Sequence, residues 1–405
     1  MNQSKSTMSK SMILFFILVA FIAVGKGLSD SIFSNYYKEV YSVTATQRAF
    51  IEFPRELPGV LCALIIASLS SLGNLKIALF AQILSCIGIT ALGFFTPSFA
   101  VMLIFLFVNS TGMHLFMPLQ DSIIMELAEK DKVGQRVGQL ASLSTAIAFL
   151  TAIVVYVGFS TGFFYFSSTI QFVFIISAIA FFGAIIVNIL LIKQAKKENL
   201  LQSVQPKKFK LTFRKDYKFY YLLTILHGVQ KQIAYVFGSW VIIDLLLKGA
   251  DIMSLLGIIS SFFGIFFMQK IGKWIDSKGI RFMMYLDALT FIIIYTLYGF
   301  VVWGIADTLI PSSGWPVVII YGLFILDRLS MQIGVVKSVY LKKIAHPQDD
   351  IASILSTGIS LDHIVSIIAA QISGYIWVAA GPQWVFFFAA FISFGNLFVA
   401  KQIKS

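Results

Sequence analysis

The sequence predicts an all-α membrane protein with twelve transmembrane helices in two six-helix bundles. Its 405 residues are 58% hydrophobic, 15% aromatic and only 12% charged, and a water-soluble domain of this composition would precipitate. Uninterrupted apolar stretches of about 20 residues recur along the chain, which is the length that crosses a bilayer as a helix. Membrane β-strands would be about half as long and would alternate between apolar and polar residues. The length of the runs therefore favours helices.

Hydropathy gives the first span directly after a polar, basic start at residues 1–10. No small-residue cleavage site precedes the second span, so the first apolar run is interpreted as a helix of the protein and not as a signal peptide. The twelve predicted spans are 11–36, 46–70, 75–96, 99–126, 136–160, 166–193, 217–247, 251–271, 280–305, 315–341, 351–378 and 383–401.

Most of the 31 lysines and arginines lie in alternate loops, on the side of the N-terminus. Three are predicted in the opposite loops and four within spans. These seven are Lys38, Arg48 and Lys248 in the loops, and Lys26, Arg55, Lys231 and Arg328 in the spans. Because basic loops stay on the cytoplasmic side, the bias predicts that both termini are cytoplasmic. It also explains the net charge of +12 as a topology signal and an attraction to anionic lipid, without a nucleic-acid partner.

The longest connection between spans is the lysine-rich segment 194–216, which contains Pro206. It lies near the middle of the chain and is interpreted as a linker. The predicted domains are an N-terminal six-helix bundle at residues 1–193, a basic cytoplasmic linker at 194–216 and a C-terminal six-helix bundle at 217–405.

A polar stretch, GKWIDSKGIR at residues 272–281, separates two long apolar runs. A tight turn between antiparallel helices needs a glycine, because only glycine enters positive φ cheaply. Asp276 is expected just past the end of one helix, where it can accept hydrogen bonds from N–H groups that start a neighbouring helix. Lys278 and Arg281 are expected to face anionic lipid or a partner carboxylate.

The spacing Gly-x-x-x-Asp-x-x-Gly-x-Arg, formed here by Gly272, Asp276, Gly279 and Arg281, resembles a loop of Major Facilitator Superfamily transporters. That loop joins the second and third helices of each half, and a worn counterpart with Gly73 follows the second span here. Charged turns at 118–138 and 342–350 resemble the same superfamily. The resemblance implies two bundles around a central cavity that rock to alternate access, with these five residues in gating loops.

Charged residues inside the spans are the best guide to function, because each costs roughly 2.5–3.5 kcal/mol at the bilayer centre unless it is paired or hydrated. In the first span, Lys26 and Asp30 stand four residues apart on one helical face. Glu52, Arg55 and Glu56 have similar spacings in the second span. These residues are expected to form a buried ion network joining the two helices, either as a structural brace or as a binding site.

The fourth span carries His114, which is either a satisfied interior residue or a functional one. In the second half, Asp327 and Arg328 are adjacent in one span, as are Asp362 and His363 in another. Adjacent helical residues point about 100° apart, so one of each pair can face the cavity and the other a neighbouring helix. The candidate substrate-binding residues are Lys26, Arg55, His114, Lys231 and Arg328. The candidate proton-coupling residues are Asp30, Glu56, Asp327, Asp362 and His363.

Arginines and lysines at the midplane suit an anionic group on a substrate, whereas histidine and buried carboxylates suit proton coupling. The alternative that these charges only neutralise each other between helices stays open. No His-Glu-x-x-His metal motif, Gly-x-Ser-x-Gly elbow or nucleotide-binding loop is found, so neither an enzyme nor an ATP-driven pump is expected. No catalytic residue, metal or cofactor is predicted.

The leading hypothesis is a secondary active transporter for a small polar solute, with an anionic solute as an option and protons as the coupling ion. A lipid, amphiphile or drug-efflux translocase of the same fold is an alternative, and a non-transporting membrane sensor is an alternative of another class. Drug exporters of the superfamily carry an arginine in the fourth helix and a Gly-Pro pair in the fifth, and both are missing here. The protein is expected to be a monomer in a bacterial inner membrane.

Overall fold

The computed structural model describes residues 8–129, 132–200, 213–345 and 351–403, with side chains in the last range from residue 354 onward. Every regular element in these ranges is helical. Ten helical segments in these ranges are long and apolar enough to cross a membrane, and one of them, Trp315–Ile344, combines two of the helices given below. The prediction of an all-helical membrane protein is therefore confirmed. Residues 130–131 of the first charged turn, residues 346–350 of the second and most of the linker lie outside the described ranges, and so do the predictions made for them.

The chain divides into two compact units. The first comprises residues 1–30 and 61–209, and the second comprises residues 31–60 and 210–405. The helices are α1 (Lys10–Ser29), α2 (Phe33–Tyr41), α3 (Ala45–Leu69), α4 (Asn74–Phe94), α5 (Phe99–Leu127), α6 (Val133–Ser160), α7 (Phe172–Lys197), α8 (Lys218–Gln232), α9 (Ala250–Ala306), α10 (Trp315–Ser330), α11 (Val336–Ile344), α12 (Ile351–Ala379) and α13 (Pro382–Gln402).

In the first unit, α1 packs against α6 and α7, and α4 packs against α5 and α7. The approach of α5 to α4 is very close, because a Cβ on Gly112 would lie only 2.3 Å from the carbonyl oxygen of Ala81. Three residues earlier, Asn109 donates a hydrogen bond of 3.0 Å to the carbonyl oxygen of Ser85. Close packing and such hydrogen bonds hold membrane helices together, since lipid provides no hydrophobic force between them.

In the second unit, α9 packs against α10 and α13, and α8 packs against α12 and α13. Residues 31–60, which the sequence assigns to the first bundle, also belong to this unit. The amide of Gln371 in α12 donates to the carbonyl oxygen of Ala49 in α3 at 2.8 Å, and Lys38 of α2 forms an ion pair with Asp244. The second unit thus combines segments from both predicted halves of the chain.

A single glycine divides the longest helix, α9, which has 57 residues. A continuous helix of that length would measure about 85 Å, far more than the roughly 30 Å of a bilayer core. Gly279 breaks it with φ 82° and ψ 166°, between the predicted eighth and ninth spans. Gly73 has nearly the same conformation, φ 79° and ψ 155°. The two related loops therefore share a backbone geometry that is essentially reserved for glycine.

The polar stretch 272–281 is not a turn over its whole length. No strong helix breaker precedes Gly279, and α9 continues as regular helix through Gly272 and Asp276. The expectation that Asp276 lies past the end of a helix is therefore wrong, and its side chain is exposed. Arg281 follows the break, with its guanidinium 5.9 Å from the ring centroid of Tyr285.

Three other predicted spans are interrupted. In the tenth, at 315–341, a 3₁₀ segment at Met331–Val335 separates α10 from α11. The first, at 11–36, is not one helix, because α1 ends at Ser29 and α2 begins separately at Phe33. The seventh, at 217–247, is α8 followed by two π-helical segments, Ile233–Phe237 and Val241–Leu245. In a π turn the hydrogen bond joins residues five apart, and such turns occur frequently at functional sites.

Candidate functional site

Five side chains in the second unit form a continuous series of hydrogen bonds, here called the charge chain: His227, Asp362, Lys231, Glu56 and His363. The Nδ1 atom of His227 lies 3.1 Å from Asp362 Oδ1. Lys231 Nζ donates to Asp362 Oδ2 at 2.7 Å and to Glu56 Oε2 at 3.0 Å. The Nδ1 atom of His363 lies 2.6 Å from Glu56 Oε2. Lys231 thus lies between the carboxylates of Asp362 and Glu56, and each carboxylate also contacts a histidine.

Three helices position these groups. In α8, His227 and Lys231 are four residues apart and share a face. In α12, Asp362 and His363 are adjacent, so Asp362 points to α8 while His363 points to Glu56 of α3. The two adjacent side chains thus meet two different neighbouring helices.

Two glycines make the approach of these helices possible. A Cβ on Gly59 would lie 2.5 Å from the ring of His363, so α3 admits the imidazole only because residue 59 has no side chain. A Cβ on Gly228 would lie 2.8 Å from the carbonyl oxygen of Asp362. Ser366 donates to the carbonyl oxygen of Gly228 at 3.3 Å and joins α8 to α12 at the same level. The geometry of the charge chain therefore depends on backbone contacts as well as on the charged groups.

The charges of the chain are nearly balanced. Glu56 is only 6% exposed, and Asp362 and Lys231 are 16% and 20% exposed. Arg55 adds a second cation 3.6 Å from Glu56 Oε1. With both histidines neutral, two carboxylates thus face two cations. Pairing of this kind offsets the large desolvation penalty of the buried ions, because each charge has an opposite charge beside it.

A second ionic cluster lies one turn earlier in α3. Arg48 donates to Glu52 Oε1 at 2.6 Å, and both side chains are at most 2% exposed. Arg55 donates to Glu52 Oε2 at 3.1 Å and so connects this cluster to Glu56. The sequence placed Arg48 in an external loop, which is wrong: it is buried in α3, where it pairs with a residue four positions on.

The first unit contains the remaining candidates from the early spans. Lys26 and Asp30 form a long pair of 3.9 Å, and both side chains are 49% exposed. The expectation that they belong to a buried network is therefore wrong for these two residues. His114 in α5 is partly buried, and its Nδ1 atom lies 2.9 Å from the carbonyl oxygen of Ser110 one turn before it.

Asp327 and Arg328 in α10 point to different surroundings. The guanidinium of Arg328 lies 3.9 Å from the ring centroid of Tyr235 and donates to Ser239 Oγ at 3.2 Å. Asp327 is 1% exposed. Its carboxylate interacts with the hydroxyl of Tyr295 in α9.

Sequence reasoning missed two charged residues near the charge chain. Lys337 of α11 interacts electrostatically with Asp362 and Asp287, although the sequence counted it among the loop lysines. Asp287 in α9 is 8% exposed and accepts a hydrogen bond of 3.2 Å from Asn396 of α13. Its place in the middle of a predicted span was the signal that could have identified it.

Residues 15–341 match the family model of the Major Facilitator Superfamily. No curated protein matches the chain in sequence at a significant level. The structure is similar to the nucleoside transporter NupG, with a TM-score of 0.69 and 13% identity over 98% of this chain and 100% of that chain. It is similar to a D-xylose-proton symporter, with a TM-score of 0.69 and 15% identity over 97% and 98%.

A third similar structure is a POT family transporter in complex with 5-aminolevulinic acid, with a TM-score of 0.74 and 11% identity over 96% of this chain and 95% of that chain. At such identities the likeness concerns the fold alone. The fold agreement nevertheless extends over nearly the full length of each chain, and the family model covers most of this one. The chain belongs to the Major Facilitator Superfamily.

Proposed function

We propose that the protein is a secondary active transporter that moves a small anionic organic solute by alternating access and couples this movement to protons. The observation that carries the proposal is the position of the Glu56 carboxylate. It is held by the ammonium of Lys231 at 3.0 Å and by the imidazole of His363 at 2.6 Å. Two groups that bind a carboxylate of the protein can bind a carboxylate of a solute by the same charge-assisted hydrogen bonds.

In this mechanism, Glu56 and the solute compete for the same partners. Lys231 keeps Asp362 as a permanent partner at 2.7 Å. Glu56 belongs to α3, so it moves away from Lys231 when α3 separates from α8. The vacated ammonium and imidazole then receive the solute anion. When α3 returns, Glu56 displaces the solute, because Lys231 already pairs with Asp362 and two further carboxylates beside it would repel each other.

Proton coupling follows from the same competition. A proton on Glu56 removes its attraction to Lys231, so protonation favours the state in which the solute binds. His363 is placed to exchange that proton, since its Nδ1 atom lies within hydrogen-bond distance of Glu56. Asp30 and Lys26 are half exposed, and their roles in coupling and binding remain predictions, as does that of His114.

The remaining parts of the proposal come from the sequence. The basic loops support cytoplasmic termini and twelve spans in a bacterial inner membrane, with the domains at residues 1–193 and 217–405 joined by the linker 194–216. The loops around Gly73 and at 272–281 are proposed gates, with Asp276 and Arg281 among their residues. A monomer is the proposed assembly.

The proposal is tested by the thermal stability of the purified protein with a library of small carboxylates, because a ligand of the folded state raises its apparent stability. We expect at least one carboxylate to stabilise the protein and the effect to disappear in Lys231→Gln. Lys193→Gln, which changes an exposed lysine in α7, serves as the matched control.

Stabilisation only by lipids or amphiphiles would instead favour the translocase. Stabilisation by a carboxylate that is fully retained in Lys231→Gln would refute the assigned site. Uptake of the same carboxylate into proteoliposomes, with and without an imposed pH gradient, then separates a transporter from a membrane sensor that binds without moving its ligand.

A further inference from the structure

One arginine of the second unit differs in its surroundings from the arginines of α3. There, Arg48 and Arg55 each pair with the carboxylate of Glu52. Arg328 of α10 is partly buried, and among the described residues its guanidinium contacts no carboxylate directly. It donates a hydrogen bond of 3.2 Å to the hydroxyl oxygen of Ser239. A cation inside a membrane span needs an anionic partner or water, and here the protein supplies only a hydroxyl.

The carboxylate of the adjacent Asp327 does not fill that place. It attracts Arg328 electrostatically, but adjacent helical residues point about 100° apart. Asp327 is buried and interacts with the hydroxyl of Tyr295 on its own side of α10. The attraction helps to keep the guanidinium charged within the span and leaves its N–H groups available. Arg328 is therefore a cation that can receive an anion from outside the chain.

Two aromatic rings hold the guanidinium in place. Its carbon lies 3.9 Å from the ring centroid of Tyr235 and 4.8 Å from that of Phe324. Such cation–π contacts fix the position of the charge but use none of its N–H groups. A guanidinium has five N–H donors in a planar fork that fits the two oxygens of a carboxylate. Phe324 is 3% exposed and Tyr235 is 45% exposed, so the arginine is anchored inside the unit and accessible beside Tyr235.

The position of Tyr235 relates this arginine to the charge chain. Tyr235 follows Lys231 by four residues, so the two side chains lie on the same helical face. The carbonyl oxygen of Tyr235 accepts a hydrogen bond of 3.1 Å from Ser239 Oγ, which is also the partner of Arg328. Four residues of helix span about 6 Å along the axis. The guanidinium thus lies about one helical turn beyond the ammonium of Lys231 on the same face.

We infer that the solute is a dicarboxylate: Lys231 and His363 bind one carboxylate in place of Glu56, and the guanidinium of Arg328 binds the other. The inference rests on the proposed function for the first contact and deepens it by naming the class of solute. At ordinary bond lengths, straight-chain diacids of about four to six carbon atoms place their two carboxyl groups about one helical turn apart.

The second contact makes the site selective for diacids over monoacids. A solute with one carboxylate leaves the guanidinium without an anion, whereas a diacid provides an anion for each cation. Because a charge-assisted, bidentate hydrogen bond is stronger than a neutral one, the second carboxylate should tighten binding on the order of tenfold to a hundredfold.

The test compares glutarate with its monoamide, which keeps the length of the chain and removes one charge. Succinate and adipate, each with its own monoamide, extend the comparison to a shorter and a longer chain. The dissociation constant of each compound for the purified full-length protein is obtained from the rise of the unfolding temperature with concentration. We expect the wild type to bind at least one diacid on the order of tenfold or more tightly than the corresponding monoamide. The ratio compares two ligands on one protein, so a variant of lower stability still yields it.

Substitutions of the arginine and of the exposed ring then locate the preference. In Arg328→Gln the ratio should fall close to one, because the diacid loses its second partner, while the affinity for the monoamide stays unchanged. Arg328→Lys keeps the charge but not the planar fork and should retain part of the ratio. Tyr235→Leu removes a ring that holds the guanidinium and should lower the ratio, whereas Tyr235→Phe should retain it. Lys193→Gln is again the matched control.

A wild type that binds each diacid no more tightly than its monoamide would overturn the inference, and so would a preference that Arg328→Gln retains in full. Neither result would affect the proposed function, which requires only that Lys231→Gln lose the binding of carboxylates. A wild type that binds none of these six acids would also overturn the inference, while the wider library of carboxylates still decides the proposed function.

Discussion

Glu56 and Lys231 are 175 positions apart in the sequence, yet Glu56 Oε2 lies 3.0 Å from Lys231 Nζ. The contact joins α3, from the N-terminal part of the chain, to α8 in the C-terminal part. It lies within one compact unit, because residues 31–60 pack with residues 210–405. This contact is either a structural brace or a part of the transport cycle, and the same choice applies to the rest of the charge chain. The two roles predict different effects of substitution.

Lys231→Gln should destabilise the protein and abolish transport of the anionic solute. Removal of one partner of a buried pair costs about 3–5 kcal/mol, and we expect the lower end because Lys231 is 20% exposed. The double variant Lys231→Gln, Glu56→Gln should recover part of the lost stability but none of the transport, since the cation that binds the solute is still missing. Thermal unfolding and proteoliposome uptake measure the two effects. Wild-type uptake by the double variant would identify the pair as a brace.

Gly59→Ala should displace His363 from Glu56, because the new Cβ would lie 2.5 Å from the imidazole ring. Overpacking of this kind costs roughly 1–3 kcal/mol, and we expect a changed pH dependence of uptake as well, since the imidazole no longer exchanges a proton with the carboxylate. The matched control is Gly257→Ala in α9, where no atom lies within 4 Å of the added group. A pH profile of uptake identical to the wild type would remove His363 from the coupling mechanism.

Gly279→Ala should lower the free energy of unfolding by about 1–3 kcal/mol, because φ 82° with ψ 166° is a strained conformation for any residue with a side chain. Gly73→Ala should behave alike, since its dihedral angles are nearly the same. Gly272→Ala is the control: the position is helical and has open space around it, so alanine should leave stability unchanged or slightly higher. Equal stability of all three variants, measured by chemical denaturation, would contradict the assigned turn.

Glu129, between α5 and α6, offers a test of pH dependence outside the spans. Arg136 donates to both of its carboxylate oxygens, at 2.9 and 3.1 Å, and these hydrogen bonds lower the pKa of Glu129 from 4.5 to about 2. A lowered pKa in the folded state stabilises the protein above the ordinary pKa, and this stabilisation is lost as pH falls towards about 2. Glu129→Gln should therefore unfold at a lower temperature than the wild type at neutral pH.

The difference between wild type and Glu129→Gln should shrink as pH falls below about 4.5. It should be modest and sensitive to salt, because the Glu129 side chain is 31% exposed. As a control, the effect of Glu129→Gln is also measured in a protein that already carries Arg136→Gln. There, Glu129→Gln should have no further effect at any pH. A difference that does not depend on pH would show that the carboxylate stabilises this turn by some means other than its charge.

The sequence by itself determined the membrane class and the helical content, because both follow from local properties. The length of an apolar run and the need of every backbone group in lipid for a hydrogen bond leave little choice but helices. It also identified the charged residues of the spans, including Lys231, Asp362, His363 and Glu56, since charges are rare in such a composition.

Only the tertiary structure decided which of these charges meet. The pairing of Glu56 with Lys231 depends on the packing of α3 against distant helices, and the approach of His363 depends on the missing side chain of Gly59. Periodicity predicts the face of a helix on which a residue lies, but the partner across that face is set by long-range packing that no local pattern encodes.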